Sequence, residues 1–281
     1  MQEEQRNAQG EEREEREERI RLARVEELCR RAVRGETVST RFLTPRQARQ
    51  ILLHLERIGE AERARFYGGY AGAERVCLFL FPDYVKDMTG EAEWGTMAVP
   101  ELLSLVGMED PLCALEIRGS GYVSLTHRDY LGALLALGVE REVLGDLLVG
   151  ACRAKVICQQ HISDFLLENL EKVAKDVVKV TRATLPQEGE LPNRFAPVSD
   201  TIASARLDCV VAALANLSRE AAQTLIRQGM VELDYETEER VDASVGAPSI
   251  LSVRGVGKFA VRAIGDPTRK GRLRLTADKY L

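Results

Sequence analysis

The sequence predicts an α+β chain of several domains: a small helical N-terminal domain, a mixed central domain, and a C-terminal module of two short helices followed by strands. Three observations carry this. Apolar residues between positions 20 and 58 recur at helical spacing. From residue 112 the pattern reads β-α-β-β-α-β, the split βαβ order of ferredoxin-like folds. From residue 203 two amphipathic helices precede strand-like segments joined by a glycine-spaced basic loop.

Residues 1–19 are mostly Glu, Arg and Gln. Opposite charges three and four apart support a solvated helix, but with no apolar stripe the segment reads as a frayed or disordered tail. Residues 20–65 form the helical domain. Ile20, Leu22, Val25, Leu28 and Val33 mark a first helix, and Ile51, Leu52, Leu55 and Ile58 a second. Thr44 suits the N-cap of the second helix and Pro45 its first position.

Residues 66–183 form the central domain. Phe66-Tyr67-Gly68-Gly69-Tyr70 is turn-like, and Val76 to Phe81 is a buried strand, a candidate to join the central sheet. A short helix is expected near Pro100 to Val106. Then come a strand at 112–118, a helix at 127–137, strands at 146–149 and 153–158, a helix at 162–173 and a strand at 177–182. RNA-recognition motifs share this order and carry aromatic residues on the third strand. Here that strand reads R-A-K-V-I-C, so stacking of bases in their manner is not expected. Residues 184–202 hold three prolines and read as a linker or extended strap.

The C-terminal module spans 203–281. Ser204 and Ser218 are candidate N-caps. The first helix should bury Leu207, Val210, Val211 and Leu214; the second, Ala222, Leu225 and Ile226, with Gly229 as its C-cap. Strands are expected at 230–235, 249–254 and 258–264. Arg206 and Arg219 lie where helix starts favour phosphate. Arg227, Arg254, Lys258 and Arg262 extend the basic set, and Arg269, Lys270, Arg272 and Arg274 close it. The module carries 12 Lys and Arg against 10 Asp and Glu, a net of +2, while the whole chain stands at -5. Any polyanion binding must therefore come from local placement of charge, not from the chain as a whole.

Residues Arg206-Leu207-Asp208, the S-R-x-x-A-x-x-L-I-x-x-G-x-V run from Ser218 and the V-R-G-V-G-K-F run at 253–259 together resemble an S4 RNA-binding domain. The rest resembles YlmH-type S4-domain proteins. The matching pieces are L-T-P-R (43–46), F-Y-G-G-Y-x-x-A-E-R (66–75), F-P-D-Y (81–84), T-H-R-D-Y-L-G-A-L-L-A-L-G-V-E-R (126–141) and I-S-D-F-L-L-E-N-L (162–170). The resemblance implies an RRM-like central domain and an S4 C-terminal domain. It further implies a non-enzymatic protein that grips structured rRNA or tRNA, on the large (50S) ribosomal subunit with peptidyl-tRNA, in quality control of stalled chains. Some members are linked to cell division, so division proteins are further candidate partners. Two departures stand out. Leu233-Asp234-Tyr235 puts an acid after the second helix, where S4 domains often have V-N-G, and Gly246-Ala247-Pro248-Ser249 replaces a G-D turn.

Other function classes fit less well. Arg206-Leu207-Asp208 superficially resembles the catalytic motif of pseudouridine synthases, but no catalytic domain follows. No G-x-G-x-x-G follows a strand, against a methyltransferase. His127-Arg128-Asp129 lacks the other kinase motifs. A scaffold using the N-terminal helices remains the alternative. The six cysteines show no C-x-x-C and there are three histidines, so no cofactor or metal is expected and the thiols read as reduced. No long apolar run or signal-peptide core occurs, which implies a cytoplasmic protein without membrane insertion.

Overall fold

The computed structural model describes residues 2–187, 195–268 and 271–280. The chain divides into two compact units, Met1–Glu190 and Leu191–Leu281. Among the described residues no helix is long and apolar enough to cross a membrane.

The first unit begins with helix α1 (Gln2–Val33). The charged run is thus the start of one continuous helix. From Glu14 onward it lies along helix α2 (Pro45–Ile58) through polar contacts: Arg46 to Glu14 at 3.5 Å, Gln50 to Glu18 at 2.9 Å and Arg21 to Gln50 at 3.4 Å. These are contacts between largely exposed polar side chains, and a helix is one of the two forms expected for this charged segment. Val25, Leu28, Cys29 and Ala32 supply the buried stripe of α1, while Ile20 and Val33 are exposed. In α2, Ile51, His54 and Leu55 are buried, and Leu52 and Ile58 point outward. Its start is as read: Thr44 and Gln47 exchange capping hydrogen bonds, with Pro45 at the first position.

Strands β1 (Val38–Ser39), β2 (Ala64–Tyr67) and β3 (Cys77–Leu80) form a separate three-stranded sheet in the order β1-β3-β2. The 76–81 strand therefore does not join the central sheet. It folds back antiparallel on β2 and packs over α1 and α2, so the N-terminal core is mixed rather than helical. Helices α3 (Asp83–Thr89), α4 (Glu91–Trp94) and α5 (Val99–Leu105) follow.

Next come β4 (Leu112–Arg118), α6 (His127–Ala136), β5 (Leu144–Gly150), β6 (Arg153–Gln159), α7 (Ser163–Asn169), the hairpin β7 (Lys172–Val173) and β8 (Asp176–Val177), and β9 (Lys179–Ala183). The sheet order is β5-β6-β4-β9, with every pairing antiparallel. Leu115, Ile117, Val156 and Cys158 face Tyr130, Leu134 and Leu166 of the helices. Helix α7 is shorter than expected: the chain turns at Leu170 into the β7–β8 hairpin, which buries Val173.

The F-Y-G-G-Y-x-x-A-E-R segment bolts β2 and β3 onto this sheet. Buried Asp146 of β5 accepts from Tyr70 Oη (2.5 Å), Glu74 N (2.8 Å) and Arg75 N (3.0 Å). A Cβ on Gly68 would stand 2.2 Å from the Arg75 carbonyl oxygen, so the close approach admits only glycine. The motif is architectural. Within His127-Arg128-Asp129, Asp129 is architectural too: it accepts from the backbone N of Thr126 (2.8 Å) and caps α6.

The second unit consists of β10 (Phe195–Ile202), α8 (Leu207–Ala215), α9 (Arg219–Arg227), β11 (Val231–Leu233), β12 (Glu236–Thr237), β13 (Ser249–Val253), β14 (Gly257–Pro267) and β15 (Leu273–Tyr280). Its six-stranded sheet runs β10-β15-β14-β13-β11-β12. The segment read as a linker is, from Phe195, a full strand paired to β15 in unbroken register from Phe195–Tyr280 to Ile202–Leu273. Pro197 is tolerated because β10 is an edge strand. One sheet face, with Leu251, Val253, Phe259, Val261, Leu275 and Ala277, buries α8 and α9. Helix α9 ends as a Schellman motif, with Gly229 N to Ile226 O (3.0 Å) and Met230 N to Leu225 O (3.0 Å).

Candidate nucleic-acid interface

Helix α8 starts later than Ser204. Arg206 is its N-cap residue, and Ser204 Oγ sits 3.6 Å from Cys209 Sγ. The cause is local: Leu207 N donates to Ala243 O (2.8 Å) and Asp208 N to Val241 O (3.0 Å). Those first-turn donors are taken by the chain's own backbone, so the start of α8 is no open phosphate cradle. Ser218 caps α9 as read, accepting from Ala221 N at 3.1 Å.

What the two helix starts share is Asp208, which is 0% exposed. Its Oδ1 accepts from Arg206 Nε (3.2 Å). Its Oδ2 accepts from Arg206 Nη2 (3.2 Å), Arg219 Nε (2.9 Å) and Gln223 Nε2 (2.8 Å). Burial pushes the carboxyl upward, but the donors from Arg206, Gln223 and Arg219 outweigh it and hold it well below its ordinary 3.8. The carboxylate stays ionised and fixes two guanidiniums, whose side chains remain 39% (Arg206) and 55% (Arg219) exposed. Each arginine uses one edge on Asp208 and keeps further N–H donors for an outside acceptor. Two cations are thus pre-positioned at adjoining helix starts, for a net charge of +1.

The other basic residues fall elsewhere. Arg227 is exposed in the last turn of α9, about 12 Å along the helix axis from Arg219. Arg254 is exposed in the β13–β14 turn near that end, with Nη1 3.8 Å from Met230 Sδ. Lys258 and Arg262 lie on the sheet face opposite the helices. Lys258 Nζ stands over the rings of Tyr280 (4.6 Å) and Tyr235 (5.1 Å). Arg262 pairs with Asp278 at 2.7 Å and lies over Phe195 at 5.6 Å. Phe195 and Tyr280 meet edge to face at 4.9 Å. Arg272 is exposed and donates to the carbonyl of Thr201, and Arg274 is exposed on β15. Arg269 and Lys270 lie outside the described residues.

Sequence reasoning missed the anchor. Asp208 reads from the sequence as a first-turn carboxylate favoured by the dipole. Arg219 and Gln223, four apart on one helix face, were the available signal that two donors converge. The Phe195–Tyr280 contact had no signal, since it comes from a strand pairing of the two ends of the unit. The departure at Asp234 is also explained. Asp234 and Tyr235 both have positive φ in the two-residue β11–β12 turn. The Asp234 carboxylate accepts from Ile250 N (2.8 Å) and Ser249 Oγ (3.3 Å), so the acid is spent on the fold.

Comparisons with known proteins place the chain among relatives. Residues 17–85 match the family model "YlmH, N-terminal", and residues 112–187 match "Putative RNA-binding domain in YlmH". Together they cover just over half of the chain. The chain is 29% identical over 243 residues to the "Ribosome-associated protein quality control protein P2" of Bacillus subtilis (strain 168), covering 85% of this chain and 86% of that protein. The solved "Cell division protein ylmH from Streptococcus pneumoniae" is similar at 21% identity and a TM-score of 0.42, over 59% of this chain and 91% of that one. With both family models matched in order and a relative aligned through most of its length, the chain belongs to the YlmH family.

Proposed function

We propose that this protein is a non-enzymatic RNA-binding protein that grips structured rRNA or tRNA through its C-terminal unit, acting at the large ribosomal subunit on peptidyl-tRNA of stalled chains. One observation carries the reading: Arg206 and Arg219 are held outward side by side by buried Asp208. A rigid pair of guanidiniums suits phosphates presented at fixed spacing by folded RNA. The matched RNA-binding family model and the ribosome-associated relative support the same class of partner. On this reading the second unit is an S4-type module. The β5-β6-β4-β9 sheet, whose β-α-β-β-α-β elements give strand order 2-3-1-4, is an RRM-like module. Asp208 is a positioning residue: both of its oxygens are occupied and no surface remains for attack on a base, against a synthase role for Arg206-Leu207-Asp208.

The test is binding of purified 50S subunits and tRNA by the full chain across a salt series. Arg206→Gln with Arg219→Gln should weaken binding by about tenfold or more and make it less salt-sensitive. Unchanged affinity in a variant that still melts cooperatively would overturn the assignment.

A further inference from the structure

The face of the β5-β6-β4-β9 sheet turned away from α6 and α7 has two halves. One half is apolar and covered: Ala114 and Ile157 are buried, and Gly69 and Leu185 pack at Ile157. The other half is open and charged. Arg153 of β6, Arg118 of β4 and Lys179 of β9 stand directly opposite one another in register across three adjacent strands. Side-chain exposures of 63% and 66% put Arg153 and Arg118 in solvent, and Lys179 is exposed too. Neighbouring strands are about 4.8 Å apart, so the row spans roughly 10 Å.

Like charges directly opposite on a sheet are destabilising. The only carboxylate in the next rank, Glu116, reaches Arg118 at 2.7 Å and Arg153 at 3.6 Å, and it faces Lys155 across the β4–β6 pair. Three cations in the row against that one carboxylate leave a local excess of +2, in a chain whose total charge is -5. An anion laid along the row would relieve that repulsion.

An aromatic residue stands at the same end of the sheet. Tyr122, in the loop after β4, is 96% exposed. The loop is pinned by Gly119 N to Cys152 O (3.0 Å) and Ser120 N to Asp176 Oδ2 (2.9 Å), beside the turn that leads into Arg153. An almost fully exposed tyrosine on a loop whose base is held in this way offers an accessible stacking surface.

We propose that this open half-face is a second RNA site, in which Arg153, Arg118 and Lys179 follow the phosphodiester backbone of one strand and Tyr122 stacks on a base. The proposal rests on the RNA-binding reading above and extends it from the helix clamp to the central sheet. Its recognition is electrostatic with one stacking contact, the mode of sequence-tolerant single-strand binders. That is how a third strand without aromatic residues can still serve RNA.

The experiment uses the full chain and a labelled 20-nucleotide oligouridylate, with affinity followed across a salt series. Arg118→Gln/Arg153→Gln/Lys179→Gln should make the slope of log affinity against log salt shallower by about 2 and cut affinity about tenfold or more at low salt. The melting temperature should stay level or rise, because repulsion is relieved; a merely structural row would show the opposite sign. Tyr122→Ala should lose about fivefold or more in affinity with the salt slope unchanged. If the parent chain binds but the triple variant keeps its slope, or loses melting temperature without losing slope, the row is not an RNA site. If polyglutamate competes as well as RNA does, the row takes acidic proteins and the proposal falls. If the parent chain binds neither the oligomer nor 50S subunits, the RNA-binding reading itself fails.

Discussion

The two units hold their arginines in opposite ways. In the C-terminal unit a fully buried carboxylate, Asp208, gathers Arg206 and Arg219 and fixes their direction. In the central sheet Arg153, Arg118 and Lys179 are lined up by strand register alone, and partly exposed Glu116 only tempers their repulsion. The first arrangement is stable without a ligand and presents a rigid pair. The second carries repulsion that Glu116 only partly offsets. A rigid pair suits the fixed phosphate spacing of folded RNA, and a self-repelling row suits a strand that adapts to it.

Removing the two carboxylates separates these cases, because RNA affinity should change with opposite sign. Asp208→Asn has the largest expected effect. Losing a buried acceptor shared by two arginines and Gln223 should destabilise the C-terminal unit by about 2–3 kcal/mol in a denaturant titration. RNA affinity should fall as well, since the guanidiniums lose their orientation. A variant with parental stability and parental affinity would show the clamp to be incidental.

Acid should report on the same carboxylate. The folded state holds Asp208 below its ordinary 3.8, so its contribution is present above that value and is lost as pH falls through the folded pKa. The stability of the second unit in the full chain should therefore be steady from neutral pH to about pH 5 as far as this group is concerned, then fall below about pH 4. In Asp208→Asn that acid-dependent part should be missing. An identical acid profile in parent and variant would mean that other carboxylates carry it.

Between these in size lies the bolt of the first unit. Gly68→Ala puts a Cβ against the Arg75 carbonyl and should cost about 1–3 kcal/mol by overpacking, leaving RNA affinity at ordinary temperature unchanged. Loss of affinity in a folded Gly68→Ala chain would tie the motif to binding rather than to architecture.

Glu116→Gln should show the smallest effect, with a change in RNA affinity opposite in sign to that of Asp208→Asn. It strips the sheet row of its tempering charge, lowering stability by about 0.5 kcal/mol while raising RNA affinity a few-fold. Weaker binding after Glu116→Gln would mean that the row, like the clamp, needs its carboxylate for orientation.

Local chemistry was legible where one segment decides its own structure. Thr44-Pro45, Thr126 and Ser218 cap helices as their residue types demand, and Gly229 closes α9. The β-α-β-β-α-β order followed from alternating periodicity. Residues 76–81 carried no mark of which sheet they join, because a buried strand looks the same in either. Phe195–Ile202 was hidden by Pro197 and the proline-containing stretch before it, since the partner that makes it a strand lies some eighty residues further on, at the other end of the unit.

The candidate site divides along the same line. By itself the sequence determined the family, the helix pair, the arginines at their starts and a modest local excess of positive charge, because residue type and spacing encode caps, periodicity and charge directly. Only the tertiary structure decided that Asp208 is buried beneath Arg206 and Arg219, that Lys258 and Arg262 share a face with Phe195 and Tyr280, and that Arg153, Arg118 and Lys179 form one row. Each of those depends on cross-strand register or helix docking between residues far apart in sequence, and no local pattern fixes it.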